Sequence, residues 1–181
     1  LDTIIASFLM VGSVTWLYSA DRLVEFPMGV FSIALATVIL PGLSSHHSEN
    51  SPEKFNATLD WALRLTLTII MPAAVGLLML SGPLIATIFG YGAFTDRDVL
   101  MCSYALMAYS FGLIGFSMVK VLAPGFFARQ NTRTPVKIGI IALTINMAFN
   151  VGVVVPAFLN GFPVPHVLLA VSTGLSALIN A

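Results

Sequence analysis

Three charged side chains, Asp21, Arg22 and Glu25, lie within about one helical turn of a long apolar stretch. On a helix, Arg22 and Glu25 are neighbours because they are three residues apart, and Asp21 lies close by. A guanidinium presents a planar fork that binds a phosphate at two points. Charges inside a membrane span are costly and usually mark a function. We therefore predict that Arg22 binds an anionic substrate and that the two acids hold its fork in place.

A second interpretation of this cluster stays open. The same three side chains would also form a self-neutralised helix start at headgroup level, where long charged side chains reach water. Lys120 has the same two interpretations. It precedes Arg129 by nine residues, which places it ~13 Å inside the end of its helix, within reach of the interface. We predict Lys120 as a further substrate contact.

A polar set on the later helices could bind a hard cation. Asn146 and Asn150 are one helical turn apart and offer amide oxygens, to which Asp2 and Thr173 would add theirs. Hydrogen bonding between helices is the alternative, and the residues alone favour it. The three histidines lack metal-ligand spacing, and no HExxH, nucleophile elbow, P-loop or paired-cysteine motif occurs. We therefore predict no catalytic residue, no metal site and no enzyme activity.

The composition indicates that these residues are carried by membrane helices. Of 181 residues, 57% are hydrophobic and only 9% are charged, and the mean hydropathy is +0.95. Soluble domains carry about 25% charged residues. Long apolar runs in lipid must be helical, because their backbone groups find no water there. The sequence predicts an all-α, polytopic transmembrane helix bundle. The net charge of zero and the lack of a basic patch argue against nucleic acid as a partner.

We predict a single transmembrane region, residues 1–181, with about six spans. The breaks between apolar runs place the spans at residues 1–13, 18–43, 63–80, 98–127, 136–159 and 166–181. The chain begins and ends inside apolar segments, so we expect a fragment of a longer protein. Pro27 and Pro72 lie inside spans and are candidate flexing points. Ser51 and Thr95 are expected to cap the helices that follow them.

The distribution of lysine and arginine predicts the orientation. Basic residues concentrate in the connections at 44–64 and 128–137, which alternate along the chain, so both connections should be cytoplasmic. The second span then runs inward, and Arg22 lies in its outer part, ~30 Å from its inner end. This position agrees with both interpretations of the charged cluster.

Three stretches resemble the MurJ/MviN family. They are ADRLVEFPMGV at residues 20–30, LPGLS at 40–44 and KVLAPGFFARQNTRTPVK at 120–137. That family belongs to the multidrug/oligosaccharidyl-lipid/polysaccharide (MOP) exporter superfamily and comprises bacterial lipid II flippases. The resemblance implies a V-shaped bundle of fourteen helices in two lobes, of which this chain is similar to helices seven to twelve.

The resemblance also implies roles for residues. Arg22 matches a cavity arginine that acts with arginines of the N-terminal lobe on the lipid diphosphate, with Asp21 and Glu25 beside it. Asp2, Asn146, Asn150 and Thr173 align with a sodium site of some members, in which Asn150 replaces an acid.

By this resemblance we expect a lipid II flippase of the bacterial cytoplasmic (inner) membrane. It would serve peptidoglycan synthesis, cell-wall growth and cell shape by alternating access. Its partners would be the lipid-linked diphosphate-sugar substrate, membrane lipids and the missing N-terminal lobe. No cofactor is expected beyond a coupling cation (Na⁺) or the membrane potential. The alternatives are another MOP-type exporter of lipid-linked oligosaccharides or drugs, a non-catalytic scaffold for cell-wall synthesis, or an enzyme using Asp21 and Glu25.

Overall fold

A computed structural model of the chain describes residues 2–9 and 12–181, without the side chains of Asp2 and Ile4. Within these ranges the chain is helical and has no strand, as the sequence predicted. The helices follow in chain order: α1 (Asp2–Phe8), α2 (Ser13–Ser48), α3 (Pro52–Met79), α4 (Ser81–Phe89), α5 (Asp96–Ala128), α6 (Arg133–Leu159) and α7 (Pro165–Asn180).

Helix α5 is the central helix of the bundle. It packs against α2, α3, α4 and α7, and about half of its most apolar stretch is buried. Its N-terminus carries the expected cap: Thr95 N–H donates to Asp98 Oδ2 at 2.8 Å, and Asp98 N–H donates to Thr95 Oγ1 at 3.3 Å. This reciprocal pair satisfies helix-end donors and fixes where α5 begins.

The first connection lies earlier in the chain than the sequence predicted. Helix α2 begins at Ser13, five residues before the predicted start of the second span. Gly12 precedes it with a φ of +99°, a conformation that glycine adopts without strain. A Cβ on Gly12 would lie 2.8 Å from the ring of Trp16, so glycine is also needed for space.

The α2–α3 connection is shorter than the predicted spans, 18–43 and 63–80, implied. The stretch between these spans is mostly helical, because α2 continues to Ser48 and α3 begins at Pro52. At the end of α2, Ser45 Oγ donates to Glu49 Oε1 at 2.8 Å. Ser51 lies at the N-cap of α3, but its side chain accepts no capping hydrogen bond, which corrects the expected cap.

Two helices contain a π-helical segment. In α2 it runs over Met28–Ile33, directly after Pro27, so the irregularity expected at this proline is present. In α6 it runs over Asn150–Val154, where the N–H of Val155 donates to Asn150 O, five residues earlier. Pro156 follows this segment and cannot donate the usual helical bond. At Pro72, by contrast, α3 stays α-helical.

Two apolar clusters hold the bundle together. The larger contains Trp16, Val24 and Leu106, and the smaller contains Leu43, Phe55 and Val121. Helices α2, α3, α5 and α6 are long and apolar enough to cross a membrane. The described parts of α1 and α7 have 7 and 16 residues, fewer than the roughly 20 of a span, so six crossings stay a prediction.

Candidate functional site

Arg22 is held by two neighbours on its own helix. Its Nη1 donates to Glu25 Oε2 at 3.1 Å, and its Nη2 donates to the hydroxyl of Tyr18. Its Cζ also lies 4.7 Å from the centre of the Tyr18 ring. The predicted pairing of Arg22 with Glu25 is therefore present, with 55% and 46% of the two side chains exposed.

Tyr18 is the member of the cluster that sequence reasoning missed. It lies four residues before Arg22 on the same helix face, a spacing at which side chains meet. This four-residue spacing is the signal in the sequence that identifies it. A ring under the guanidinium and an acid at its edge restrict the fork without covering it. The arginine is thus oriented before any ligand arrives.

Asp21 also has neighbours that the sequence did not predict. It lines a cavity of about 270 Å³ together with Tyr18 and with residues of α1, α5 and α7: Thr3, Ala6, Tyr109 and Thr173. Arg22 does not line this cavity, although Tyr18 and Asp21 beside it do. Tyr18 and Asp21 of the cluster therefore line a crevice between α1, α2, α5 and α7.

Lys120 lies apart from this cluster. Its side chain is exposed, and the next residue, Val121, belongs to the small apolar cluster with Ile39 and Leu43 near the end of α2. Arg22 instead lies between Ala20 and Val24, which belong to the large cluster. The fold thus does not bring Lys120 and Arg22 together, and a role of Lys120 in substrate binding stays a prediction.

The asparagines of α6 form a hydrogen-bonded chain that reaches α7. Asn150 Nδ2 donates to Asn146 Oδ1 at 3.1 Å, and Asn146 Nδ2 donates to Ser172 Oγ at 2.9 Å. All three side chains are buried. Ser172 is the residue of this network that the sequence analysis missed, because nothing in the spacing showed that α6 and α7 meet.

Thr173 connects this network with the first cavity. It lines a second cavity, of about 430 Å³, with Asn146 and Thr3, and it also lines the cavity of Asp21. Its own hydroxyl donates to Leu169 O at 2.9 Å. The predicted ion-site residues Asn146, Asn150 and Thr173 are therefore neighbours. The side chain of Asp2, the fourth member, lies outside the described residues.

The buried histidine takes part in packing. His166 Nε2 lies 3.1 Å from Met101 O, and its ring is 4.9 Å from that of Trp16. In the described part of the chain, no three histidine, cysteine or acidic side chains are grouped so that they could hold a metal ion.

Comparison with known proteins gives consistent matches. The model of a family described as lipid II flippase MurJ matches residues 1–181. The probable lipid II flippase MurJ of Haemophilus influenzae is 47% identical over all of this chain, and that of Vibrio cholerae is 46% identical over 99% of it. A solved structure titled lipid II flippase MurJ, inward closed conformation, matches 99% of the chain with a TM-score of 0.85 at 30% identity.

These matches cover only part of each relative. The chain spans 35% of the Haemophilus protein, 33% of the Vibrio protein and 36% of the solved structure. It thus corresponds to about a third of the length of the proteins it resembles.

Proposed function

The chain belongs to the MurJ family of lipid II flippases, and on this premise we propose that the whole protein moves lipid II across the bacterial cytoplasmic membrane. The headgroup would pass from the cytoplasmic to the periplasmic leaflet while the lipid tail stays in the bilayer. The protein would act by alternating access, with two lobes rocking about a central cavity. It would be a transporter of peptidoglycan synthesis and would catalyse no covalent step.

The observation that carries the proposal is the pre-oriented guanidinium of Arg22, whose neighbours Tyr18 and Asp21 line the crevice. Its described hydrogen bonds use two of its five N–H donors, which leaves the others for phosphate oxygens. A fork held by Tyr18 and Glu25 loses less freedom on binding than a mobile side chain. The diphosphate of a lipid-linked sugar is the type of group that such a fork binds.

The charges of the cluster are not sufficient by themselves to attract a diphosphate. Glu25 and Asp21 offset the charge of Arg22 when no substrate is present, but they also oppose a diphosphate. Further cations are needed for net attraction, and the remaining lobe of the protein is their proposed source. Lys120 is assigned to the cytoplasmic side of the substrate path, where the headgroup would enter.

We propose the membrane potential and a sodium ion as energy sources for the transport cycle. A membrane potential contributes ~2.3 kcal/mol per charge per 100 mV and would reset a positively lined cavity. A sodium ion would bind beside Asn146, Asn150 and Thr173, with Asp2 as the anionic ligand. Asn146 and Thr173 line the cavity of about 430 Å³, and Asn150 is hydrogen-bonded to Asn146, which supports this assignment.

The proposed function is tested by replacing Arg22 in the full-length protein and measuring lipid II flipping in proteoliposomes. Arg22→Ala should lower the rate by at least tenfold, because a charge-assisted hydrogen bond is worth about 1.5–3 kcal/mol. Arg64→Ala is the matched control, because Arg64 is also an exposed helical arginine paired with an acid, Asp60 at 2.8 Å. Undiminished flipping by Arg22→Ala would defeat the assignment.

Three related measurements separate the alternatives. A scaffold for cell-wall synthesis would keep its function after Asp21, Arg22 and Glu25 are all neutralised. An enzyme acting on lipid-linked sugars would release a chemically altered product, and a flippase would return lipid II intact. Flipping of a different lipid-linked oligosaccharide in preference to lipid II would point to another exporter of the superfamily.

A further inference from the structure

A second cluster of basic and imidazole side chains lies far from Arg22, where α2 and α5 end and α3 begins. It lines a cavity of about 400 Å³ with these residues: His46, His47, Asn50, Ser51, Pro52, Phe55 and Arg129. His46 is about 36 Å from Arg22 along α2, at ~1.5 Å per residue. This cavity is therefore separate from the crevice to which the proposed function assigns the lipid diphosphate.

Arg129 supplies the fixed positive charge of this cavity. Its Cζ lies 4.3 Å from the centre of the Phe55 ring, and Phe55 itself is buried. Stacking of this kind uses the face of the guanidinium and leaves the N–H groups at its edge available. In the described ranges Arg129 has no carboxylate within ion-pair distance, unlike Arg22 and Arg64. It is a positioned cation for which the described part of the chain provides no counter-ion.

Two imidazole side chains line the cavity beside this cation. His46 and His47 are consecutive residues in the last turn of α2, and the ring of His47 lies 6.5 Å from that of Phe55. The Nδ1 atom of His46 is shielded from solvent and has no hydrogen-bond partner. An imidazole nitrogen without a partner loses solvation unless a ligand or water bonds to it.

The start of α3 also lies at this cavity, through Ser51 and Pro52. The side chain of Ser51 does not cap this 28-residue helix, and the positive end of the helix dipole lies there. Two imidazoles and a guanidinium beside this helix end are suited to an anion with several acceptor oxygens.

Acidic residues nearby do not line the cavity. The carboxylate of Glu49 accepts a hydrogen bond from Ser45 Oγ at 2.8 Å, and Glu53 lies in the first turn of α3. Neither belongs to the cavity lining. The lining therefore carries positive charge and donors but no carboxylate, although the whole chain is neutral.

We propose that this cavity binds a phosphate group, gripped by Arg129 and by the imidazoles of His46 and His47. The phosphate can belong to the headgroup of an anionic phospholipid or be free in solution, since both present the same oxygens. The rival explanation is that the three side chains only complement the negative ends of α2 and α5, as basic residues in the last turn of a helix do.

The test uses the purified full-length protein and two probes. In detergent, its melting temperature is measured with rising inorganic phosphate, against chloride at equal ionic strength. In nanodiscs, the same measurement compares phosphatidylcholine alone with phosphatidylcholine containing phosphatidylglycerol. Arg129→Gln and the double variant His46→Gln/His47→Gln remove the side chains that are proposed to bind the phosphate. Arg133→Gln is the matched control, because Arg133 is an exposed arginine of the same basic stretch and does not line the cavity.

Stabilisation by the probe should persist in Arg133→Gln. In Arg129→Gln and in the double histidine variant, the same stabilisation should require about tenfold more probe or a still higher concentration. A response to phosphate in detergent identifies free phosphate as a ligand, and a response to phosphatidylglycerol alone identifies a lipid headgroup. The proposal is overturned if neither probe stabilises the unaltered protein, or if Arg133→Gln loses as much as Arg129→Gln. Because the readout is binding, this result is independent of whether Arg22 takes part in flipping.

Discussion

The indole N–H of Trp16 donates to Asp98 Oδ1 at 2.8 Å and so joins the start of α2 to the start of α5. The two residues are 82 positions apart in the chain. Asp98 also forms the cap of α5, so one carboxylate fixes both the beginning of the central helix and its contact with α2. The Trp16 ring in turn packs against His166 of α7.

Trp16→Phe should lower the melting temperature of the full-length protein. The change keeps an aromatic ring in the core and removes the N–H, which leaves Asp98 with one hydrogen bond fewer, a loss of about 1–3 kcal/mol. Trp61→Phe is the control, because Trp61 is 53% exposed whereas Trp16 is 4% exposed. Equal melting temperatures for the two variants would show that the hydrogen bond contributes nothing to stability.

Gly115→Ala should destabilise the contact between α5 and α7. A Cβ on Gly115 would lie 2.6 Å from the backbone nitrogen of Leu178, so the two helices would have to separate. Small residues allow such close helix approach in membranes. Gly139→Ala is the matched control, because a Cβ there meets nothing within 4 Å and alanine favours a helix by about 0.5–1 kcal/mol. Thermal melting should therefore fall for the first variant and stay level or rise for the second.

Tyr18→Phe should reduce lipid II flipping less than Arg22→Ala does. The phenylalanine ring still lies beneath the guanidinium, but the hydrogen bond to Arg22 Nη2 is lost and the fork is less well oriented. We expect a rate lower by about threefold to tenfold, or ~0.7–1.4 kcal/mol. Tyr104→Phe, on an exposed tyrosine of α5, should leave the rate unchanged. A Tyr18→Phe rate equal to that of the unaltered protein would contradict an orienting role.

Asn146→Leu should weaken the association of α6 with α7. The change removes the partner of both Ser172 and Asn150 from a buried position. Hydrogen bonds between membrane helices contribute about 0.6 to 1.7 kcal/mol each, and the melting temperature should fall accordingly. Thr144→Val is the control, since the exposed Thr144 bonds only to Ile140 O of its own helix, at 2.8 Å. If both variants melt alike, the network does not hold the helices together.

Sodium should stabilise the full-length protein more than potassium does, if the cavity lined by Asn146 and Thr173 binds the proposed coupling cation. Thr173→Val should remove most of this difference, because it deletes an oxygen from the cavity wall. Thr144→Val should preserve it, since Thr144 does not line this cavity. Melting curves in matched sodium and potassium chloride measure the effect, and identical curves for the unaltered protein would refute the sodium site.

Several features of the fold follow from local sequence. Apolar runs specify helices because a backbone in lipid must bond to itself, and Thr95 and Asp98 mark a helix start because their spacing makes a capping box. The pairing of Arg22 with Glu25 is likewise a local consequence of spacing along one helix. Helix ends were predicted less accurately. Helix α2 begins about five residues before the predicted span and ends about five residues after it.

Only the tertiary structure decided which helix faces meet. Spacing alone could not show that Asn146 reaches Ser172, that Asp21 shares a crevice with Thr173, or that Arg129 covers Phe55. A charge-poor sequence offers many apolar faces that would pack about equally well. The choice among them depends on close contacts between distant small residues, such as Gly112 with Gly174, and these have no local signature. The sequence by itself therefore determined the membrane helices and their charged cluster. The packing of the helices determined the crevice beside Asp21 and the cavity beside Arg129.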